Sequence, residues 1–143
     1  MTRYIPSPTK WVAEQVEIYE SSGGTQGTTL RGLPVVIVTN QGCKTGAIRK
    51  TPLMRVVDGT NYILIASKGG APKHPVWYYN LKANPVVEIR DGVTVYEMEV
   101  REVENSEERR RLWDIAVEAY PPYKEYQKKT ERLIPVFIAE MLV

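Results

Sequence analysis

"TPLMRVVDGTNYILIAS", residues 51–67, holds two strand-like runs that meet at Asp58-Gly59. Asp-Gly between apolar, β-branched runs suits a two-residue turn with positive φ, so the stretch predicts a β-hairpin. The pattern returns in "VVEIRDGVTVYEMEV", residues 86–100, around Asp91-Gly92. Ahead of the first hairpin, "LPVVIVTN" (33–40) reads as a buried strand, and "IPVFIAEMLV" (134–143) as the last one. Hairpins therefore join most of the strands, and the βαβα alternation of a doubly wound fold is missing. The expectation is an α+β protein with about six mostly antiparallel strands and peripheral helices. A chain of 143 residues is long enough to close such a sheet into a small barrel.

Helices are expected between and around these runs. Ser7-Pro8 reads as an N-cap and first helical position, with Trp11, Val12, Gln15, Val16 and Tyr19 at helical spacing behind it. Gly23-Gly24 ends that helix, and "GGTQGTT" (23–29) is expected to be a flexible loop. Pro75 opens a short helix in "PVWYYNLKAN" (75–84), and Ser106 caps one in "NSEERRRLWDIAVEAY" (105–120). Pro121-Pro122 breaks the latter, and "YKEYQKKTERL" (123–133) reads as a further helical segment. With no internal repeat or linker, one domain over residues 1–143 is expected, residues 1–24 forming an N-terminal helix and loop.

Composition is that of an ordinary globular protein, 43% hydrophobic and 25% charged. No apolar run approaches the roughly 20 residues of a membrane span, and the N-terminus lacks a signal-peptide core, so a cytoplasmic protein is expected. Cys43 and His74 are the only cysteine and histidine, which argues against a disulfide and against a metal site.

The net charge of +2 is unevenly spread. Residues 21–87 carry eight cations against Asp58 alone, a balance of +7, while residues 88–143 carry nine against thirteen acids. A solvated basic face is one reading. The other is an anion site, because "GCKTGAIRK" (42–50) and "SKGGAPKHP" (67–75) each follow a strand and combine glycine with basic residues. Glycine lets backbone N–H groups converge on one anion, lysine adds a point charge, and arginine grips phosphate with two parallel bonds. If the turns meet, Lys44, Thr45, Arg49, Lys50, Lys68 and the amides of Gly69 and Gly70 surround a phosphate.

Aromatic residues form a second group: Trp77, Tyr78 and Tyr79, then Tyr120, Tyr123 and Tyr126. In a helix Tyr123 and Tyr126 share a face, which describes a core stripe and also a pocket for a flat, partly polar ring. The P-loop, dinucleotide and hydrolase-elbow patterns are absent, and no base is identifiable for Cys43. A protein that binds and orients a reactive cofactor is the economical reading. A patch for nucleic acid or acidic lipid is the competing one, though a pI near 8.6 falls short of the usual basic domain, so no nucleic acid is expected.

"GCKTGAIRKTPLMRVVDG" (42–59), "LIASKGGAPKHPVWYYNLKANPVVE" (64–88) and "AYPPYKEYQKKTERLIPVFI" (119–138) together resemble the deazaflavin-dependent nitroreductase family of actinobacteria. The resemblance runs from about Pro34 to Phe137 and implies a split β-barrel related to FMN-binding oxidoreductases. It implies coenzyme F420, whose phospholactyl-oligoglutamate tail would meet the basic residues, with FMN as the alternative cofactor. Lys44, Thr45, Arg49, Lys50, Pro52 and Leu53 are then expected at the tail and ring edge. Ala66, Ser67, Lys68, Gly69 and Gly70 are expected at the phosphate and ring, with Trp77 and Tyr78 beside the ring. Tyr120, Tyr123 and Tyr126 would line the pocket of an electron-poor acceptor (quinone, activated enone or nitroaromatic). Tyr126 or Tyr123, assisted by Ser67, would donate the hydrogen bond or proton. The chain departs from the family at Cys43, where members commonly carry arginine, and Lys50 is expected to compensate. The segment before Leu33 is expected either to cover the substrate or to lean on a membrane, and an exposed barrel edge to favour a homodimer.

Overall fold

The computed structural model describes residues 3–142, so the expected last residue of the closing strand, Val143, lies outside the described residues. Eight strands form: β1 (Thr29–Leu30), β2 (Leu33–Gln41), β3 (Ile48–Met54), β4 (Val57–Asp58), β5 (Asn61–Ile65), β6 (Val86–Asp91), β7 (Thr94–Glu102) and β8 (Val136–Met141). The helices are α1 (Lys10–Ser21), α2 (Val76–Ala83), α3 (Ser106–Ala119) and α4 (Pro122–Lys128). About six strands were expected; β1 and β4, each two residues long, are the additions.

The strands pair antiparallel, and neighbours run β1-β2-β6-β7-β8-β5-β4, with β3 off this path and paired to β2; Tyr4 adds a single parallel bridge to Ile48. β3 lies beside β2 near one end of the sheet and β4 at the other end, yet only Arg55 and Val56 separate them in the chain. Chain continuity thus joins the two ends and curls the sheet into a barrel. Both Asp-Gly pairs turn as expected, with Gly59 at φ 63° and Gly92 at φ 62°.

The long apolar runs fail to alternate because both sheet faces are covered. Val36, Val38, Leu64, Ile89, Met98 and Phe137 fill the barrel interior. On the outside Val35 and Ile37 lie under Val16 and Tyr19 of α1, and Ile63, Ile65 and Ile138 lie under Leu112 and Ala116 of α3. The Tyr19 hydroxyl accepts from Gly92 N at 2.7 Å and faces Val35 O at 3.1 Å, which ties α1 to the barrel.

Three local expectations shift. The first helix begins at Lys10 behind Thr9, because the Ser7 hydroxyl accepts from Thr9 N before any helix starts. The cap of α3 is Asn105 rather than Ser106, its side chain accepting from Glu108 N at 2.9 Å. Arg49 and Lys50 lie on β3, so the first basic turn shortens to residues 42–47. Among the described residues no helix is long and apolar enough to cross a membrane.

Candidate active site

A cleft of about 900 Å³ opens along β3. Every residue of β3 is half-buried: one edge pairs with β2, and residues 49–54 line the cleft. Pro52 is tolerated there because β3 is an end strand. Leu53, Met54, Ile65 and Trp77 give an apolar floor, Arg49, Lys50 and Lys68 a cationic side, and Tyr120, Tyr123 and Tyr126 a polar-tipped aromatic wall. Residues 7–9, Trp11 and Val12 close over it from the N-terminal segment.

The turn after β5 is built to receive an anion. Ser67 is right-handed (φ −80°, ψ −39°) and Lys68 left-handed (φ 46°), the alternation that points successive N–H groups to one side. The N–H groups of Ser67, Lys68 and Gly69 and the Lys68 ammonium have no hydrogen-bond partner among the described residues. Arg132 fixes this turn from behind. Its guanidinium donates to Ala71 O (2.8 Å), Ala66 O (3.1 Å) and Ser67 O (2.6 Å), and meets His74 Nδ1 at 2.9 Å. Burial, and then the Arg132 charge, lower the His74 pKa, which keeps the ring neutral as an acceptor. Gly70, at φ 82°, sits so near α4 that an added Cβ would meet Tyr126 O at 2.6 Å. The anion turn and the tyrosine wall are therefore in direct contact.

The cations of β3 are engaged elsewhere. Arg49 Nη1 donates to Ile5 O and Pro6 O, both at 3.2 Å, and Lys50 Nζ contacts both Glu20 oxygens at 2.7 Å. Lys50, expected to make up for Cys43, is thereby paired with α1.

Of the residues expected at the site, the cleft gathers Arg49, Lys50, Pro52, Leu53, Ser67, Lys68, Gly69, Trp77, Tyr120, Tyr123 and Tyr126. Five lie off its wall. Lys44 and Thr45 are exposed in the 42–47 turn, where Thr45 Oγ1 accepts from Ala47 N. Ala66 is fully buried in the barrel core, and Gly70 is covered by α4. Tyr78 turns towards Phe137, its hydroxyl donating to Glu102 at 2.9 Å; burial, then this bond, push its pKa up to about 12.

Two functional candidates were missed. Arg132 lies 66 residues from the carbonyl it holds at Ala66. Arg31 lies in the β1–β2 turn, 89 residues from Tyr120, and its Nη1 donates to the Tyr120 hydroxyl at 2.8 Å and the Tyr126 hydroxyl at 3.4 Å. The two hydroxyls are 3.0 Å apart. Burial raises the Tyr120 pKa, the Tyr126 bond adds to it, and Arg31 pulls the other way; burial also holds Tyr123 neutral. Arg31 has φ 55° and Gly32 φ 76°, so a β-hairpin turn that suits Asn-Gly carries arginine at a cost of about 1–2 kcal/mol. No signal in the sequence marks it; only the fold brings it to the tyrosines.

Fold and cleft together define the class by architecture: a split barrel with an open ligand cleft. A Listeria innocua protein described as a pyridoxamine 5′-phosphate oxidase shares the fold at TM-score 0.53 and 11% identity, over 76% of this chain and 84% of that one. A family model described as F420H(2)-dependent quinone reductase matches residues 11–141. An F420H(2)-dependent quinone reductase of Mycobacterium tuberculosis is 39% identical over 124 residues, 85% of this chain and 83% of its own. A solved F420-H2 dependent reductase is 56% identical at TM-score 0.70, over 75% of this chain and 94% of that one. A domain-swapped dimer is 53% identical at TM-score 0.74, over 94% of this chain and all of that one. The chain belongs to the F420H(2)-dependent quinone reductase family. The resemblance implied nitroreductases; the family shown uses the same coenzyme and is named for quinones.

Proposed function

We propose that this protein reduces a quinone with reduced coenzyme F420, the turn at Ser67–Gly69 holding the coenzyme's phosphate. The observation that carries this reading is the set of three N–H groups, at Ser67, Lys68 and Gly69, with no partner among the described residues, on a lysine-bearing turn at a cleft with an apolar floor. A phosphodiester matches that donor set, and a flat ring matches the Leu53, Ile65 and Trp77 floor. Bound there, the reduced deazaflavin supplies a hydride. The chain's own residues orient the two reactants, exclude water and provide the proton that completes the two-electron reduction.

Tyr126 faces the cleft with a half-buried hydroxyl and serves as the donor to the acceptor oxygen. Tyr123 and Tyr120 shape the acceptor pocket, and Ser67 offers a hydroxyl with no partner among the described residues. Residues 7–12 close the acceptor side. The functional unit is one domain spanning the chain, and it pairs as a homodimer, as the domain-swapped neighbour does. Light scattering at micromolar protein tests the pairing; a monomer mass contradicts it.

The activity is tested by mixing the protein anaerobically with reduced coenzyme and a naphthoquinone such as menadione. Protein-dependent return of the oxidised coenzyme's visible absorbance is expected. Binding of the coenzyme without turnover on any quinone would reject the acceptor class, and no binding would reject the site.

A further inference from the structure

We propose that Arg31 is a positioning residue that locks the Tyr120–Tyr126 pair as a proton donor facing the cleft. The inference rests on the quinone-reductase reading above and concerns a residue outside the family's motif stretches.

A guanidinium donates and never accepts. Arg31 Nη1 lies 2.8 Å from one tyrosine oxygen and 3.4 Å from the other, and those oxygens are 3.0 Å apart. The pair owns two hydroxyl protons. One lies between the two oxygens, and neither can point at Arg31, so the second is left for the cleft. Arg31 holds the Tyr120 oxygen more closely, so Tyr120 donates to Tyr126, and Tyr126, which lines the cleft, presents the second proton. Without the cation, the second oxygen is free to accept from water or to turn away.

The same contact serves the step itself. Bound coenzyme would supply a hydride, which carries both electrons and one of the two protons the acceptor needs, and the acceptor oxygen takes the second proton from Tyr126. The O–H bond of Tyr126 breaks as the acceptor O–H bond forms, leaving a tyrosinate that the adjacent Arg31 charge stabilises. Arg31 is exposed, so water at the cleft mouth returns the proton. Two further cations lie near the tyrosine wall among the described residues. Lys129 Nζ lies 5.7 Å from the Tyr126 ring centre, and Arg109 lies over Trp113, which packs on Tyr123.

A second observation supports function over folding. Arg31 occupies a left-handed position with φ 55°, where asparagine or glycine would fit with less strain. A backbone outlier retained at a site is the mark of a residue kept for what its side chain does.

The test uses Arg31→Asn and Arg31→Lys in the full chain. Arg31→Asn is expected to melt at or above the wild-type temperature while kcat/KM for menadione falls roughly ten-fold. Coenzyme affinity should stay within about two-fold, Arg31→Lys should recover part of the loss, and guanidinium ion should partly rescue Arg31→Asn. In protein labelled at the tyrosine ring and free of coenzyme, NMR should show the Tyr120 ionisation midpoint rising in Arg31→Asn, because the charge that favours tyrosinate is gone. An unchanged Tyr120 midpoint would overturn the proposal, as would an equal fall in coenzyme affinity and turnover. A wild-type protein without quinone reductase activity would reject the underlying reading, and the Tyr120 midpoint would still decide whether Arg31 holds the hydroxyl pair.

Discussion

The two glycine-bearing basic turns, residues 42–47 and 67–71, share a composition and differ in what holds them. The first is bound mostly to itself: Gly42 N donates to Ala47 O at 2.7 Å and Gly46 N to Gly42 O at 2.9 Å. Among the described residues, its one hydrogen bond to a distant element is Cys43 N to the Asn80 side chain at 2.9 Å. The second turn gives Ser67 O and Ala71 O to Arg132 and closes Gly70 N on Ser67 O and Ala71 N on Lys68 O, while Ser67 N, Lys68 N and Gly69 N have no partner among the described residues. Its right-then-left-handed backbone aims successive N–H groups to one side at the cleft, whereas Lys44 and Thr45 stand exposed off the cleft wall. Charge is therefore common to both turns, while binding capacity follows from where the open backbone groups point.

Arg132→Ala is the strongest test of that difference. It removes a charged donor from three carbonyls and His74, and should cost about 3 kcal/mol in chemical denaturation. Coenzyme affinity should fall with it. A loss under about 1 kcal/mol would show that the turn holds its shape unaided.

Gly70→Ala should come next, destabilising by about 2 kcal/mol because positive φ and contact with Tyr126 O act together. Gly46→Ala carries positive φ alone, its nearest atom being Gln41 Nε2 at 3.7 Å, and should cost about 1 kcal/mol. Equal losses would erase the distinction between the turns.

Coenzyme titration separates their lysines. Lys68→Ala should weaken binding roughly ten-fold and Lys44→Ala no more than about two-fold. A reversed order would move the anion to the first turn.

The smallest expected effect is on pH. His74 has a lowered pKa in the fold, so the unfolded chain binds more protons as pH falls through about 6.5. Its contribution to stability is present above that pH and fades below it. His74→Gln should flatten this slope, read from denaturation midpoints between about pH 5 and 7.5.

Much of the fold was legible because its signals are local. Asp58-Gly59 and Asp91-Gly92 fix two hairpins by turn geometry alone, and the doubly buried strands appear as unbroken apolar runs. The cap of α3 was misread by one residue because Asn105 and Ser106 are both good caps, and only the contact with Glu108 N decides between them. The cleft's aromatic wall and the Ser67–Gly69 turn were visible as motifs. Arg31 and Arg132 were not, because each acts on groups more than sixty residues away. Likewise Arg49 and Lys50 read as free cations until the fold brought Ile5, Pro6 and Glu20 beside them.

A crystal of this protein soaked with oxidised coenzyme F420 puts the question most directly. The phosphate should lie within about 3 Å of the Lys68 and Gly69 nitrogens. Phosphate density at residues 42–47, or a coenzyme bound away from the β3 cleft, would contradict the account.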